Sequence, residues 1–502
     1  MIKLSMLSML MRALILAGLV QGGQDVQDVL GGGGRQHLEV STTARNLLKK
    51  NGCLGRREHV RTCFQECHGM DTKAIEALGP CLEAYLANFS DCFNRSESWA
   101  SLGHYVRGQL SDLPRKSVEP MALAAGIGPR SLQQFLADAK WDEDRLEAKI
   151  QQRVAGCHNH EELVGQADET TFAKKGTKTP GIKRQYCGST GKKDNCVVSV
   201  HLSCSNASGF HSLLASQLFL PENWAMDQDR CREARIPPTM VYRPKWKIVL
   251  ELLDRSRVNG VRLSWLTFDE GYGMIPQFQA QLDQRGQLYA GEVPKNFHGW
   301  CRPPVPLYKN HHGALGRRFT STSASASRVD DLAGHSPLFI KQPWVAYYVK
   351  DSQKGPVVWE AKVAPFYISH DGQPGRPVLL MVARNAVNRK EIKYFVSNAP
   401  PGTRAEKLLQ VGFSRHPVER CFEDDKTELG MDHFEVRNYV SLKRHLTISA
   451  LALLFLAEVR SQDVKKNHSA NRLPSAYSRR RDDSVLLVAR AAASDAFTTS
   501  LQ

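Results

Sequence analysis

At 502 residues, with 42% hydrophobic and 24% charged side chains, the chain has material for a sizeable core and roughly three domains, which excludes a fibrous or wholly disordered protein. A formal net charge of +16 at pH 7 points to a polyanionic partner, nucleic acid before others. The 12 cysteines read as reduced thiols rather than a disulfide framework; Cys53, Cys63, Cys67, Cys81 and Cys92 crowd one window, but Cys63-x3-Cys67-His68 lacks the paired spacing of a zinc site.

Residues 1–35 imitate a secretory signal, with Lys3 ahead of an apolar run over 6–20. Arg12 interrupts that run and no small-x-small cleavage site follows, so an extended start with glycines 31–34 as a joint explains it equally well. The segment is expected to be disordered. Residues 36–155 are expected to form a helical DNA-binding domain. Within it, Ala122, Gly126 and Leu132 have the spacing of a helix-turn-helix, with Arg130, Ser131, Gln133 and Gln134 offered by the second helix. An ordinary helical hairpin gives the same pattern.

From 156 to 302 the pattern becomes α/β. Leu163-Val164 reads as a short strand entering an acidic turn at Asp168, and the segment 174–184 carries five cations and no acid. Strands are predicted over 197–202, 261–268 and 287–293, and helices over 245–259 and 275–284. The order matches a ribonuclease-H-like core. Residues 303–400 interrupt it with strand-like runs at 344–349, 357–363, 366–368, 378–383 and 392–396. Residues 401–461 return to core helices, opened by a capping box at Thr403-x-x-Glu406. The apolar run 446–457 is too short to span a bilayer, so no membrane is expected. Residues 462–502, with Arg479-Arg480-Arg481, read as a basic disordered tail.

Three acidic stretches carry the chemistry. Asp168 and Asp269 stand where strands end, and Glu419 sits on a predicted helix with Glu423 and Lys426 at i+4 and i+7 on one face. Oxygen ligands of this kind suit two Mg²⁺ or Mn²⁺ ions, which clamp the oxygens of a phosphoryl displacement. Glu423 and Glu360 are the alternatives for the third ligand. Glu169 and Glu270 adjoin the aspartates and, by alternation, point away from them.

Several longer motifs resemble a group of bacterial insertion-sequence transposases of the DDE superfamily, whose ribonuclease-H-like core carries a β-rich insertion before its last acid. They are Asp168-Glu169-Thr170-x-Phe172-x-Lys174-Lys175-Gly176-Thr177-Lys178-Thr179-Pro180-Gly181, Leu218-Phe219-Leu220-Pro221-Glu222-x-Trp224 and Tyr242-Arg243-Pro244-Lys245-Trp246. Leu266-Thr267-Phe268-Asp269-Glu270-Gly271-Tyr272-Gly273, Phe395-x-Ser397-Asn398-Ala399-Pro400-Pro401-Gly402 and Val418-Glu419-Arg420-x-Phe422-Glu423 continue the resemblance, which covers about residues 92–459.

The resemblance implies metal ligation and catalysis by Asp168, Asp269 and Glu419, with Arg415 and Lys426 completing the third motif. It implies cleavage of double-stranded DNA at element ends, joining to target DNA, a homodimer assembled on DNA, and a cytoplasmic, nucleoid-associated location. Lys174, Lys175, Lys178, Lys183 and Arg184 are expected to meet the DNA backbone beside the acids and Lys426 a phosphate; Trp344 and Trp359 of the insertion are candidates to stack on an extruded base, although tryptophans of a β-rich module more often pack its core. The chain departs from the family pattern at Thr171, Gly412 and His416-Pro417. The last puts proline beside the third acid, so the helix either begins there or kinks. A DNA-binding relative without the chemistry is the alternative function.

Overall fold

The computed structural model describes residues 78–310, 317–352 and 355–470. The signal-like segment, the cluster Cys53, Cys63 and Cys67, and the tail beyond residue 470 lie outside the described residues. Every cysteine among the described residues is a free thiol.

Five helices come first: α1 (Leu78–Ala87), α2 (Ser96–Leu110), α3 (Val118–Ala124), α4 (Pro129–Ala137) and α5 (Glu143–His158). Asp142 caps α5 by accepting from the Asp144 and Arg145 amides. Between α3 and α4 the chain turns at Gly126, whose φ of +68° suits glycine, and Ala122 and Leu132 meet beneath the turn with no exposed surface. The spacing thus produces two short packed helices, with Arg130, Ser131, Gln133 and Gln134 exposed on the second.

The central sheet is built from β1 (Leu163–Ala173), β2 (Lys183–Cys187), β3 (Lys192–Ser205), β4 (His211–Leu218) and β5 (Leu263–Phe268). Long strand β3 pairs β2 along one part of its length, β4 along the other, and β1 on its opposite edge, all antiparallel, while β5 joins β1 in parallel. Strand β1 does not end at an acidic turn as expected. It runs through Asp168 to Ala173, because β3 continues to pair with it as far as Ala173↔Cys196 and Phe172 is buried there. Helices α6 (Glu222–Ala225), α7 (Gln228–Glu233) and α8 (Lys245–Val258) lead into β5. After it come α9 (Glu270–Gly273), α10 (Pro276–Gln284) and β6 (Ala290–Val293).

Strand β6 belongs to two sheets. Its approach touches β5 in parallel at Leu266↔Tyr289, and its body pairs antiparallel with β14 (Ile392–Ser397) of a second, seven-stranded sheet. That sheet includes β7 (His298–Trp300), β10 (Ser327–Arg328), β11 (Val345–Ser352), β12 (Gly355–His370) and β13 (Gln373–Asn385). The hairpin β8 (Pro306–Asn310) and β9 (Arg317–Thr322) stands apart, and α11 (Val329–His335) and α12 (Pro337–Ile340) precede β11. The two runs expected at 357–363 and 366–368 are one continuous strand, β12.

Trp359 on β12 is 3% exposed, packed with Trp265 of β5 and with Phe413, whose ring centroid lies 4.7 Å away. Of the two readings of Trp359, core packing is the one that holds, and base stacking by this ring is set aside. Trp344 is half-buried, with Lys362 Nζ 4.7 Å and Arg384 Cζ 4.1 Å from its centroid.

The chain ends in α13 (Ala405–Phe413), α14 (His416–Leu429) and α15 (Tyr439–Ala470). The capping box before α13 does not form. Thr403 donates its hydroxyl to Pro400 O at 2.7 Å, closing the turn that Gly402 makes at φ +87°, and Arg404 caps the helix without a side-chain bond. Helix α15 extends to Ala470, into the segment expected to be disordered. Its portion Tyr439–Ser461 has a mean hydropathy of 1.4 and is long enough to cross a membrane, but 89% of that window is buried inside the protein. Burial as a core helix, rather than shortness, accounts for the apolar run.

Around α15 the first helices assemble. Tyr85 donates to Leu451 O at 2.8 Å, Gln109 donates to Ser449 Oγ at 2.7 Å, and Arg153 forms a two-pronged pair with Glu458 at 2.7 Å. Arg444 donates to the carbonyls of Phe135, Leu136 and Trp141, satisfying the end of α4. His445 is fully buried: Nε2–H donates to Met431 O at 2.9 Å and Nδ1 accepts from the Tyr105 hydroxyl at 2.8 Å.

Two predictions follow from this core. Trp359→Ala should lower unfolding free energy by about 3–5 kcal/mol in urea titration, and Trp344→Ala by clearly less. Burial, with the nearby Lys174 charge, holds the His445 pKa down at about 4 from the usual 6.5. Between those values the unfolded chain binds the extra proton. Stability is thus full above pH 6.5 and falls as pH drops toward about 4, by up to roughly 3 kcal/mol. Thermal melts of wild type and His445→Gln across that range check this; the variant's decline should be shallower.

Candidate active site

Register sets the centre of the site. In the parallel pair β1–β5, Ala167 is the partner of Phe268, so the next residues, Asp168 and Asp269, emerge side by side. Asp168 continues along β1 opposite His201, whereas Asp269 leaves β5 to cap α9, accepting from the Tyr272 amide at 3.2 Å. Burial pushes the Asp168 carboxyl up to about 7, the Asp269 charge adds to it, and Arg415 opposes it. Asp269 is also raised, chiefly by burial, against the Tyr272 amide that lowers it.

Glu419 lies in the first turn of α14 and is half exposed. Arg415 links it to the aspartates: one guanidinium nitrogen donates to Asp168 Oδ2 at 2.9 Å and another pairs with Glu419 Oε1. The flanking His416-Pro417 causes no kink. Helix α14 starts at His416, which puts Pro417 in the first turn where its missing amide costs nothing, and Arg415 occupies the cap position in helical geometry. From there it still spans four residues to Glu419.

Among the described residues, no three His, Cys, Asp or Glu side chains come together closely enough to hold a metal ion. The expected triad is therefore assembled as two adjacent, partly buried aspartates and a glutamate joined through Arg415. The donor chemistry nonetheless fits a hard divalent cation, since both carboxyls have raised proton affinity, Asp168 partly through the Asp269 charge, and Arg415 already lies between Asp168 and Glu419. The alternatives lie elsewhere. Glu423 is exposed and faces Arg420 at 3.5 Å, and Glu360 is held on β12 by Arg384 and Arg389.

The expected DNA-facing cations divide. Lys174 is turned inward, donating to Asp432 O at 2.7 Å and Phe434 O at 2.6 Å over the Phe434 ring. Lys426 donates to Thr170 Oγ1 at 2.6 Å and Thr171 O at 3.2 Å, tying α14 to β1 rather than reaching for a phosphate. Both are corrected to structural roles; the carbonyls they serve would otherwise be left without partners. Lys178 pairs with Glu233 at 2.5 Å on the surface. Lys175, Lys183, Arg184 and Arg130 are exposed.

Tyr272, Lys245 and Glu292 are supporting groups that escaped the sequence. Glu169 accepts from the Tyr272 hydroxyl at 2.7 Å and pairs with Lys245, and its charge bears on both Asp168 and Asp269. Tyr272 and Lys245 stood within motifs that named no role for them. Glu292 on β6, paired with Lys393 of β14 at 2.5 Å, lies close enough to Glu270 and Arg415 to act on their charge; nothing in its strand marked it. A groove of about 850 Å³ between α8, α10 and the β12–β13 hairpin, lined by Trp246, Gln281 and Arg376, contains none of these acids.

Asp168 on β1 and Asp269 just past the parallel strand β5, with a third acid on a later helix, make a polar site of acidic oxygen donors. The chain belongs to the DDE superfamily endonuclease family, which residues 88–355 match, over half of its 502 residues. It is also similar to a probable transposase for insertion sequence element IS701 from Microchaete diplosiphon, 25% identical over 219 residues. That match takes in 43% of this chain and 54% of the relative, so the chain spans about half of the relative's length.

Close packing fixes where Asp269 sits. A Cβ at Gly273, the last residue of α9, would stand 1.8 Å from Glu292 O, and one at Gly291 1.9 Å from the Phe268 ring. Gly273→Ala should push α9 off β6 and destabilise the fold by roughly 1–3 kcal/mol. Calorimetric Mn²⁺ binding should weaken in step; a variant with wild-type melting and wild-type titration would contradict this.

Proposed function

We propose that this protein is a transposase that cuts and joins DNA with Asp168, Asp269 and Glu419. The observation that carries the proposal is the pairing of Asp168 with Asp269 by strand register, bridged to Glu419 by Arg415, in a chain of the DDE endonuclease family. The order β4–β3–β1–β5, continued through β6, supports reading the central sheet as a ribonuclease-H-like core and the second sheet as an insertion before Glu419.

In this reading the three acids hold two Mg²⁺ or Mn²⁺ ions, which when bound supply Lewis-acid polarisation of a phosphodiester. The protein's own groups do the rest. Asp168 and Asp269 give a rigid, water-poor floor, because Asp168 lies within paired β1 and Asp269 directly follows paired β5. Arg415 orients Asp168 and Glu419 and offers cationic charge to the substrate. Arg130 on α4, with Lys175 and Arg184, meets the DNA backbone. The phosphodiester at an element end is cut, and the freed 3′-hydroxyl attacks target DNA. Double-stranded DNA is the partner, a homodimer forms on it, and the reaction takes place in the cytoplasm beside the nucleoid. The alternative is a DNA-binding protein without chemistry, for which His416-Pro417 is the main support; the start of α14 at His416 places Pro417 where a helix tolerates it.

Asp168→Asn, Asp269→Asn and Glu419→Gln should each slow Mg²⁺-dependent cleavage of duplex DNA by at least about a hundredfold, with binding and melting temperature retained. A substitution that leaves the rate unchanged removes that residue from the site. Wild-type protein that binds tightly yet never cleaves with Mg²⁺ or Mn²⁺ would restore the binding-only reading.

A further inference from the structure

The hairpin formed by β2 and β3 carries Lys183, Arg184, Lys192 and Lys193, all exposed, and Tyr186, which is 65% exposed. Its two faces are not equivalent. Residues paired across antiparallel strands share a face, and successive residues alternate. Asp168 pairs with His201, and the β1–β3 register runs without a shift to Ala173↔Cys196. Counting back along β3 from His201 by twos reaches Asn195 and Lys193, whose partners on β2 are Arg184 and Tyr186. Arg184, Tyr186 and Lys193 therefore lie on the sheet face of Asp168. Lys183 and Lys192 lie on the opposite one, opposite Cys196 and Cys187.

Near Asp168 this shared face is covered, by Lys426 over Thr170 and by Phe434 against Phe172. Past that cover the ribbon projects into solvent. At about 3.3 Å per residue, Lys193 stands roughly 26 Å along β3 from the row of Asp168. No acid shares the face, since its fourth position, Asn195, is spent on the Lys174 and Gly176 carbonyls. Among the described residues neither Arg184 nor Lys193 pairs with a carboxylate. An uncompensated pair of cations flanking an exposed tyrosine fits a phosphate backbone, where Arg and Lys supply charge and the tyrosine hydroxyl a donor.

We propose that Arg184, Tyr186 and Lys193 form a second anchoring surface for duplex DNA, on the face of the acidic site but well away from it. The surface grips the backbone without reading sequence, while Lys183 and Lys192 face away from the DNA. This rests on the proposed action on DNA, and assigns one face of the hairpin to it.

The test uses the full chain and a mixed-sequence duplex of about 30 base pairs, with affinity measured across a salt series. Arg184→Gln with Lys193→Gln should flatten the slope of log affinity against log salt by about two. Lys183→Gln with Lys192→Gln should leave it within about half a unit, an internal control of the same size and charge. Tyr186→Ala should weaken binding several-fold at fixed salt with the slope unchanged. Thermal melts confirm that each variant folds. An unchanged slope in the Arg184/Lys193 pair, or equal loss in both pairs, overturns the assignment. Cleavage assayed in the same proteins separates the two proposals. A wild type that shows the face-dependent slopes but never cleaves sinks the nuclease reading alone, and one that cleaves with no face dependence sinks the hairpin alone.

Discussion

Placing two carboxylates side by side away from water is the constraint on which the rest of this structure depends. Each aspartate loses solvation and feels a nearby acid, Asp168 the Asp269 charge and Asp269 that of Glu169, so the ionised pair is costly unless cationic charge lies within reach. Arg415 meets that need from the cap of α14, and Asp269 recovers part of its solvation from the Tyr272 amide. The parallel register of β1 and β5 makes the juxtaposition unavoidable, since shifting it by one residue would turn every side chain of a strand to the wrong face.

Helix α14 must then be held against the sheet at a fixed rotation for Glu419 to face the aspartates. Asp424, buried on its inner side, does this: Arg420 Nε reaches it at 2.9 Å, His211 of β4 at 3.3 Å and Arg460 of α15 at 3.8 Å. These partners keep the Asp424 carboxyl below its ordinary range despite burial, whose effect is the opposite. Lys426, two residues further on, fastens the same helix to β1. Removing one member of such a buried network strands the others' charge, so the network specifies orientation more than it adds stability. It also explains why the N-terminal helices pack on α15: that helix is both their core and the anchor of α14.

Much of this was legible in the chain because local chemistry and global fold agree. The amphipathic run ending at Gly260 is α8, the apolar run ending at Asp269 is β5, and the motifs around Asp269 and Glu419 lie on the elements they suggested. What was not legible depends on partners far away in sequence. Lys174 and Lys426 look like free cations until the carbonyls of Asp432, Phe434 and Thr171 come to them. Asp168 looks like a turn residue until β3 extends the strand, and Trp344 and Trp359 look alike until Phe413 of a later helix covers the second. Thr403-x-x-Glu406 has the letters of a capping box, but the preceding Pro-Pro-Gly turn takes the hydroxyl first.

The second sheet is therefore more than an appendage inserted between the second and third acids. Through β6 it is hydrogen-bonded to the same backbone that leads to β5, and two glycines allow that strand to press on the turn after Asp269. Its strand β14 contributes Lys393, which offsets the Glu292 charge that would otherwise bear on Glu270. Trp359 reaches from β12 into the core that supports α13, the helix immediately before Arg415. Movement of this sheet would thus reach the acids by two routes, through β6 to Asp269 and through α13 to Arg415. Both routes are packed backbone, which transmits displacement because a close-packed interior has no slack to absorb it.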